Sequence, residues 1–320
     1  MTAIVTPMQG GQVDEGGLST LVRAQLAGGI QGLIVNGSTG EAATLTDDEQ
    51  EYVLRHVVDR VAGAVPVVAG VGSRSTHGAL VQARRAQNAG ADALLVVTPA
   101  YNKPTQGGLI QHFLSVAENS DLPIVLYNVP GRTGVDLLPE TVAALAAHPR
   151  IVAIKEATGS VLRAAQIRRL VSDDFCLLSG DDFTVFPFVA QGGDGCVSVA
   201  SNIIPRAIVD LVEGARGTDP AAFAAARAQS LALQPLFEAL FVEANPIPVK
   251  TAGDWMGLFT SAELRLPMTP LTAAGADVLA AAMTDAGLSF KRAPGDSSRL
   301  GPGNPLPPAE ASVRTVDLSD

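Results

Sequence analysis

The 320-residue sequence predicts an α/β fold, a closed (β/α)8 TIM barrel carrying a C-terminal helical appendage. Three observations point there. Eight short β-like runs recur at a regular interval, and each of the first seven is followed by a longer stretch of helical periodicity. The β pattern then stops beyond Asp219. Lys155 closes the run Ile151-Val-Ala-Ile-Lys-Glu156, at the carboxyl end of a strand, where a barrel collects its reactive groups. Eight alternating units suit a closed parallel barrel better than an open sheet; a doubly wound sheet is the alternative.

In chain order the β-like runs are 3–6, 32–36, 65–69, 93–98, 124–128, 152–156, 175–179 and 195–199. Helical stretches lie between them, among them 47–60, 77–88, 109–119 and 138–147, and the eighth run leads through Pro205 into 207–216. Thr46-Asp-Asp-Glu49 is a capping box before its helix. Gly90 suits a left-handed helix cap. The barrel is expected over 1–218 and the appendage over 219–290, with helices at 220–243, 247–257 and 271–287. From 291 to 320 the chain is rich in Pro, Gly and Ser, and a disordered tail is expected. The first run begins almost at Met1, so either that strand is unusually short or the start lies downstream of the natural one.

Hydrophobic residues make up 47% of the chain and aromatics only 4%, so the core is built from Ala, Val, Leu and Ile. A net charge of -10 argues against a nucleic-acid or anionic-membrane surface. It leaves room for small anionic substrates, which need only a local cation. Cys176 and Cys196 both fall in apolar runs, without disulfide or metal spacing. His56, His77, His112 and His148 lie in helical stretches without ligand spacing, so no metal site is expected. No signal peptide is evident, and the Ala-rich stretch from 221 to 244 is interrupted by polar residues and Pro235. A cytoplasmic protein is expected.

The chain has four lysines: Lys103 in a Pro-rich turn, Lys250 near a helix start, Lys291 in a polar segment, and Lys155 at a strand end. Burial disfavours an ammonium, and a neutral amine is a nucleophile toward carbonyls. The alternative is a lysine whose ammonium snorkels to the surface. Ala153 and Lys155 share one face of the strand, leaving space beneath the amine if that face is interior, while Val152 and Ile154 meet the helices. Schiff-base chemistry fits: the amine attacks a keto group, and loss of a neighbouring proton gives an enamine that attacks an aldehyde. Tyr127, on the adjacent strand, is the candidate proton shuttle, with a hydroxyl relay through Ser38 and a second tyrosine. A core tyrosine and ordinary turn residues are the plainer readings of Tyr127, Ser38 and Thr39. Arg132, between two glycines, is either a solvated cation or a carboxylate clamp. Gly70-Val-Gly-Ser-Arg-Ser-Thr76 lacks the third glycine and Lys-Ser/Thr ending of a phosphate loop, and reads as an ordinary barrel loop.

Together these motifs resemble the dihydrodipicolinate synthase family from about Ala3 to Leu288. The likeness is carried by Ala3-Ile-Val-Thr-Pro-Met8, Gly37-Ser-Thr-Gly-Glu41, Ile154-Lys-Glu-Ala-Thr-Gly159, Phe241-Val-Glu-Ala-Asn-Pro-Ile-Pro-Val-Lys250 and Leu266-Pro-Met-Thr-Pro270. The wider superfamily, with its neuraminate lyases and sugar-acid aldolases, shares the lysine and the Gly-Ser-Thr-Gly-Glu loop. Tyr127-Asn-Val-Pro-Gly-Arg-Thr-Gly134 matches the synthases through Arg132.

The resemblance implies condensation of pyruvate with L-aspartate 4-semialdehyde, without metal or diffusible cofactor, on the diaminopimelate route to lysine. Lys155 would form the imine, Tyr127 act as acid and base, and Ser38 and Tyr101 complete the relay, Tyr101 coming from a neighbouring subunit. Thr39 and the main chain near Val197 would hold the pyruvate carboxylate, Gly180 line the site, and Arg132 hold the second substrate. A homotetramer, a dimer of dimers, is implied. Ser38 stands where the synthases more often have threonine, and Ala100 replaces a tyrosine beside Tyr101 at the tight-dimer interface. At the family's lysine-inhibition site the positions are Asp47, Gln50, Arg74, Gly78 and Ala100, where histidines and a glutamate are replaced, so weak or absent feedback is expected. The competing functions are a sibling aldolase acting on a sugar-acid aldehyde and a non-catalytic barrel that binds a keto acid or amino acid.

Overall fold

The computed structural model describes residues 1–292. The tail expected over 291–320 therefore lies, from residue 293 on, outside the described residues. Lys291 and Arg292 are still packed: the Lys291 amide donates to the Trp255 carbonyl (2.8 Å), and Arg292 pairs with Asp277.

Eight parallel strands form one sheet in sequence order: β1 (Thr2–Ala3), β2 (Leu33–Val35), β3 (Val67–Val71), β4 (Ala93–Val97), β5 (Ile124–Asn128), β6 (Ile151–Glu156), β7 (Cys176–Ser179) and β8 (Gly195–Cys196). A parallel bridge between Thr2 and Ser198 closes the ring, with the Ala3 amide donating to the Ser198 carbonyl at 2.9 Å. The helices between strands are α1 (Glu15–Ala27), α2 (Asp47–Val61), α3 (Thr76–Asn88), α4 (Gln106–Glu118), α5 (Pro139–Ala146), α6 (Leu162–Arg168), α7 (Val185–Ala190) and α8 (Pro205–Arg216). The expected alternation is thus present. A small antiparallel hairpin, Met8–Gln9 with Gln12–Val13, was not expected and precedes α1.

Two cores follow from strand alternation. Small and branched side chains fill the barrel: Ala3, Ile34, Val68, Leu95, Val125, Ala153, Leu178 and Val197. The opposite faces, including Ile154 and Leu177, pack against the helices. Val152 departs from the sequence expectation. The β5–β6 register shifts between Ile124 and Val125, from Ile124 opposite Ile151 to Val125 opposite Ala153. Val152 is the extra residue of this bulge and is 38% exposed rather than set against the helices. Beyond it the alternation resumes, with Ile154 outward and Lys155 inward beside Tyr127.

The Thr46 capping box forms as expected: Thr46 Oγ1 accepts from the Glu49 amide (3.2 Å) and Glu49 Oε2 from the Thr46 amide (2.8 Å). Loss of such a cap costs about 1 kcal/mol. Gly90 takes φ +89°, as a left-handed cap requires. The appendage contains α9 (Pro220–Ala239), α10 (Ile247–Trp255) and α11 (Ala273–Asp285). No helix among the described residues is long and apolar enough to cross a membrane.

Candidate active site

Lys155 is 6% exposed, inside the barrel near its carboxyl end. It stands opposite Tyr127 in the β5–β6 register, and its Nζ lies 4.4 Å from the centre of the Tyr127 ring. Gly180 follows β7 on the other side. A Cβ there would stand 2.5 Å from the Ala157 Cβ and 3.1 Å from the Lys155 Cε, so only glycine leaves the lysine its place.

Carboxylates ring the strand ends. Asp181 is pushed up to about 6 by burial, opposed by the charge of Lys155. Asp182 is raised by burial and accepts from the amides of Val199 (2.9 Å) and Ala200 (2.8 Å), which fixes the end of β8. Glu156 takes the Asn128 side-chain amide (3.0 Å) and the Thr158 amide (2.8 Å); its burial raises the carboxyl, and these bonds pull it back. Burial pushes the Cys176 thiol up to about 11 and Cys196 to about 12, so neither is a ready thiolate.

A cavity of about 500 Å³ opens over these strands, lined by Ser38, Tyr127, Arg132 and Asn245 among others. Lys155 sits beside it, against the Tyr127 ring. Arg132 belongs to a one-turn helix, Pro130–Thr133, and its Nη2 donates to the Asn245 carbonyl at 3.2 Å. Thr39 is 3% exposed, and its hydroxyl oxygen accepts from the Asn245 side-chain amide at 2.9 Å. A larger groove of about 960 Å³ runs from the loops after β5 and β6 (Gly131, Ala157, Thr158) to Pro139, Leu162 and Arg163, and contains none of the site residues predicted from sequence.

The structure thus brings together Lys155, Tyr127, Gly180, Ser38, Thr39 and Arg132. It keeps Tyr101 apart. Tyr101 has φ +75° and is 86% exposed, outside the cavity of its own chain. Val197 lies in the barrel interior, but its amide donates to the Ser179 carbonyl (2.8 Å) and the next amide, Ser198, to Met1 (2.9 Å). The Val197 and Ser198 amides are thus already bonded within the barrel.

Sequence reasoning missed Asn245, Glu41 and Lys250 as parts of the site's frame. Lys250 is fully buried and donates to Glu41 Oε1 at 2.6 Å and to the Glu263 carbonyl at 2.5 Å. Arg265 grips both carboxylate oxygens of Glu49 (2.5 and 2.7 Å) and the Thr44 carbonyl (3.0 Å). The signals were Lys250, one of four lysines, next to the Pro246-Ile-Pro248 helix start, and the two runs 37–41 and 241–250 that hold all three residues.

Comparison with known proteins gives one answer. Residues 1–286 match the dihydrodipicolinate synthetase family. The 4-hydroxy-tetrahydrodipicolinate synthase of Pelobacter propionicus is 47% identical over 288 residues, 90% of this chain and 98% of that protein. That of Geotalea uraniireducens is 48% identical over 292 residues, covering 90% and 98%. Among solved structures, dihydrodipicolinate synthase from Thermotoga maritima superposes with a TM-score of 0.87 at 43% identity, covering 90% of this chain and 98% of that one. The lysine-bound synthase from Cyanidioschyzon merolae gives 0.86 at 43% identity, covering 90% and 97%.

Proposed function

The chain belongs to the dihydrodipicolinate synthetase family, and we propose that Lys155 is the amine through which it works. It is a lyase that condenses pyruvate with L-aspartate 4-semialdehyde to give 4-hydroxy-tetrahydrodipicolinate, on the route to diaminopimelate and lysine. Lys155 attacks the pyruvate keto carbon, water leaves, and the protonated imine draws electrons from the methyl group. Tyr127 takes and returns the protons of these steps. The resulting enamine carbon bonds to the aldehyde carbon of the second substrate. The amino group of that substrate then displaces Lys155 from the imine carbon, which closes the ring and frees the enzyme.

The observation that carries this reading is the pairing of Lys155 and Tyr127: a buried amine 4.4 Å over the ring of a tyrosine that lines an open cavity. Thr39 holds the pyruvate carboxylate, Ser38 hands protons toward solvent, Gly180 gives the amine room, and Val197 packs beneath. Arg132, at the cavity wall, clamps the carboxylate of the aldehyde substrate. Tyr101, turned out of its own site, completes the relay in a neighbouring subunit, within a cytoplasmic homotetramer built as a dimer of dimers. Lysine feedback is weak or absent, because at positions Asp47, Gln50, Arg74, Gly78 and Ala100 the histidines and glutamate of the family's inhibition site are replaced.

Treatment with pyruvate and borohydride, followed by peptide mass spectrometry, is expected to place a reduced adduct on Lys155, and Lys155→Ala to abolish both adduct and turnover. Turnover is expected with aspartate semialdehyde, not with sugar-acid aldehydes, and is expected to survive excess lysine. Unchanged turnover in Lys155→Ala rules out the assignment.

A further inference from the structure

We propose that Asn245 is a positioning residue for pyruvate capture: by donating to Thr39, its side-chain amide turns the Thr39 hydroxyl into a donor aimed at the substrate carboxylate. This rests on the reading that Thr39 holds that carboxylate.

A hydroxyl has one proton and two lone pairs. Asn245 Nδ2 lies 2.9 Å from Thr39 Oγ1 and occupies a lone pair, so the proton remains for another acceptor. Thr39 and Asn245 are 3% and 7% exposed, so bulk water competes little for this bond. Asn245 is itself held. Its carbonyl accepts from Arg132 Nη2 (3.2 Å), and the helix that follows it, α10, carries Lys250, bound to Glu41 at 2.6 Å. Glu41 lies two residues beyond Thr39, so the Gly37-Ser-Thr-Gly-Glu41 loop and the start of α10 are tied together twice. The appendage thereby sets the direction of a hydroxyl in the barrel.

The two contacts of Asn245 separate by experiment, because the one to Thr39 uses its side chain and the one to Arg132 its main chain. Steady-state kinetics on Asn245→Ala is expected to show the pyruvate KM raised about tenfold, the worth of one buried hydrogen bond. The KM for aspartate semialdehyde is expected to stay unchanged. Asn245→Asp keeps the volume but accepts the Thr39 proton and sets a negative charge near the bound anion. It is expected to raise the pyruvate KM further than Ala does.

If Asn245 only fills space, the near-isosteric Asp is the milder of the two, and that result overturns the proposal. Thr39→Val is the control, and adding Asn245→Ala to it is expected to have no further effect. A Thr39→Val enzyme with unchanged pyruvate KM refutes the role of Thr39 itself. A raised KM in Thr39→Val with none in either Asn245 variant refutes the present inference alone.

Discussion

Glu41 and Lys250, separated by 209 positions in the chain, meet at 2.6 Å with neither side chain open to solvent. Removing one partner of such a pair leaves an uncompensated buried charge, at a cost of about 3–5 kcal/mol. Lys250→Met is expected to lose about that much stability in denaturant titration. Glu41→Gln combined with Lys250→Met is expected to lose less than the sum of the two single changes, because neither charge is then stranded. Additive losses would show that the two residues do not act as a unit.

Tyr127→Phe keeps the ring against Lys155 and removes only the hydroxyl. General acid–base groups contribute roughly a hundredfold or more, so kcat is expected to fall by at least that factor. The melting temperature is expected to stay near that of the parent, since the hydroxyl is no part of the core packing. Turnover within a few-fold of the parent would mean that another group moves the protons.

Arg132→Leu is expected to raise the KM for aspartate semialdehyde about 10- to 100-fold, the worth of a hydrogen bond to a charged group. Borohydride trapping of pyruvate is expected to persist, since that step precedes the second substrate. Arg132→Lys is expected to restore little, because an ammonium cannot make the bidentate contact. A proportionate loss of pyruvate trapping in Arg132→Leu would place Arg132 in the wrong half of the site.

Subunit mixing tests the exposed position of Tyr101. Lys155→Ala and Tyr101→Phe preparations are each expected to be inactive or weak alone. After dissociation and reassembly together, mixed pairs carry one site with both native residues, and activity is expected to reappear. If mixing restores nothing, Tyr101 serves its own chain or no site at all.

Asp181 gives stability a pH dependence. Burial pushes its carboxyl up to about 6 from an ordinary 3.8, so in that window the folded chain keeps a proton that the unfolded chain has released. Stability from this group therefore falls as pH rises through the window. Asp181→Asn removes the titration, so its melting temperature is expected to exceed the parent's at about pH 8 and to approach it near pH 4. An advantage equal at both pH values would show that Asp181 titrates normally.

Much of the site was legible because its chemistry sits at strand ends. Lys155 and Tyr127 were readable as strand-end residues, Arg132 was singled out as a clamp only by the likeness to the synthases, and the register then set Tyr127 opposite Lys155. Other features were not legible. The Val152 bulge depends on how β5 and β6 settle against each other, and periodicity alone put Val152 against the helices. That the Val197 amide bonds to the Ser179 carbonyl depends on how β7 and β8 pair, which no local pattern shows. The Met8–Val13 hairpin is too short to show an alternating pattern.

The alternation of strands and helices, the barrel class and the lysine at the sixth strand end were determined by the sequence alone, because hydrophobic period, capping and strand-end placement are local properties. The tertiary structure alone decided which groups frame the Gly37-Ser-Thr-Gly-Glu41 loop. Asn245 reaches Thr39 across 206 positions and Lys250 reaches Glu41 across 209. The burial and direction of those hydrogen bonds arise only when the appendage closes over the barrel mouth. A polar side chain's partner depends on what lies within about 3 Å in space, and the order of residues along the chain does not encode that distance.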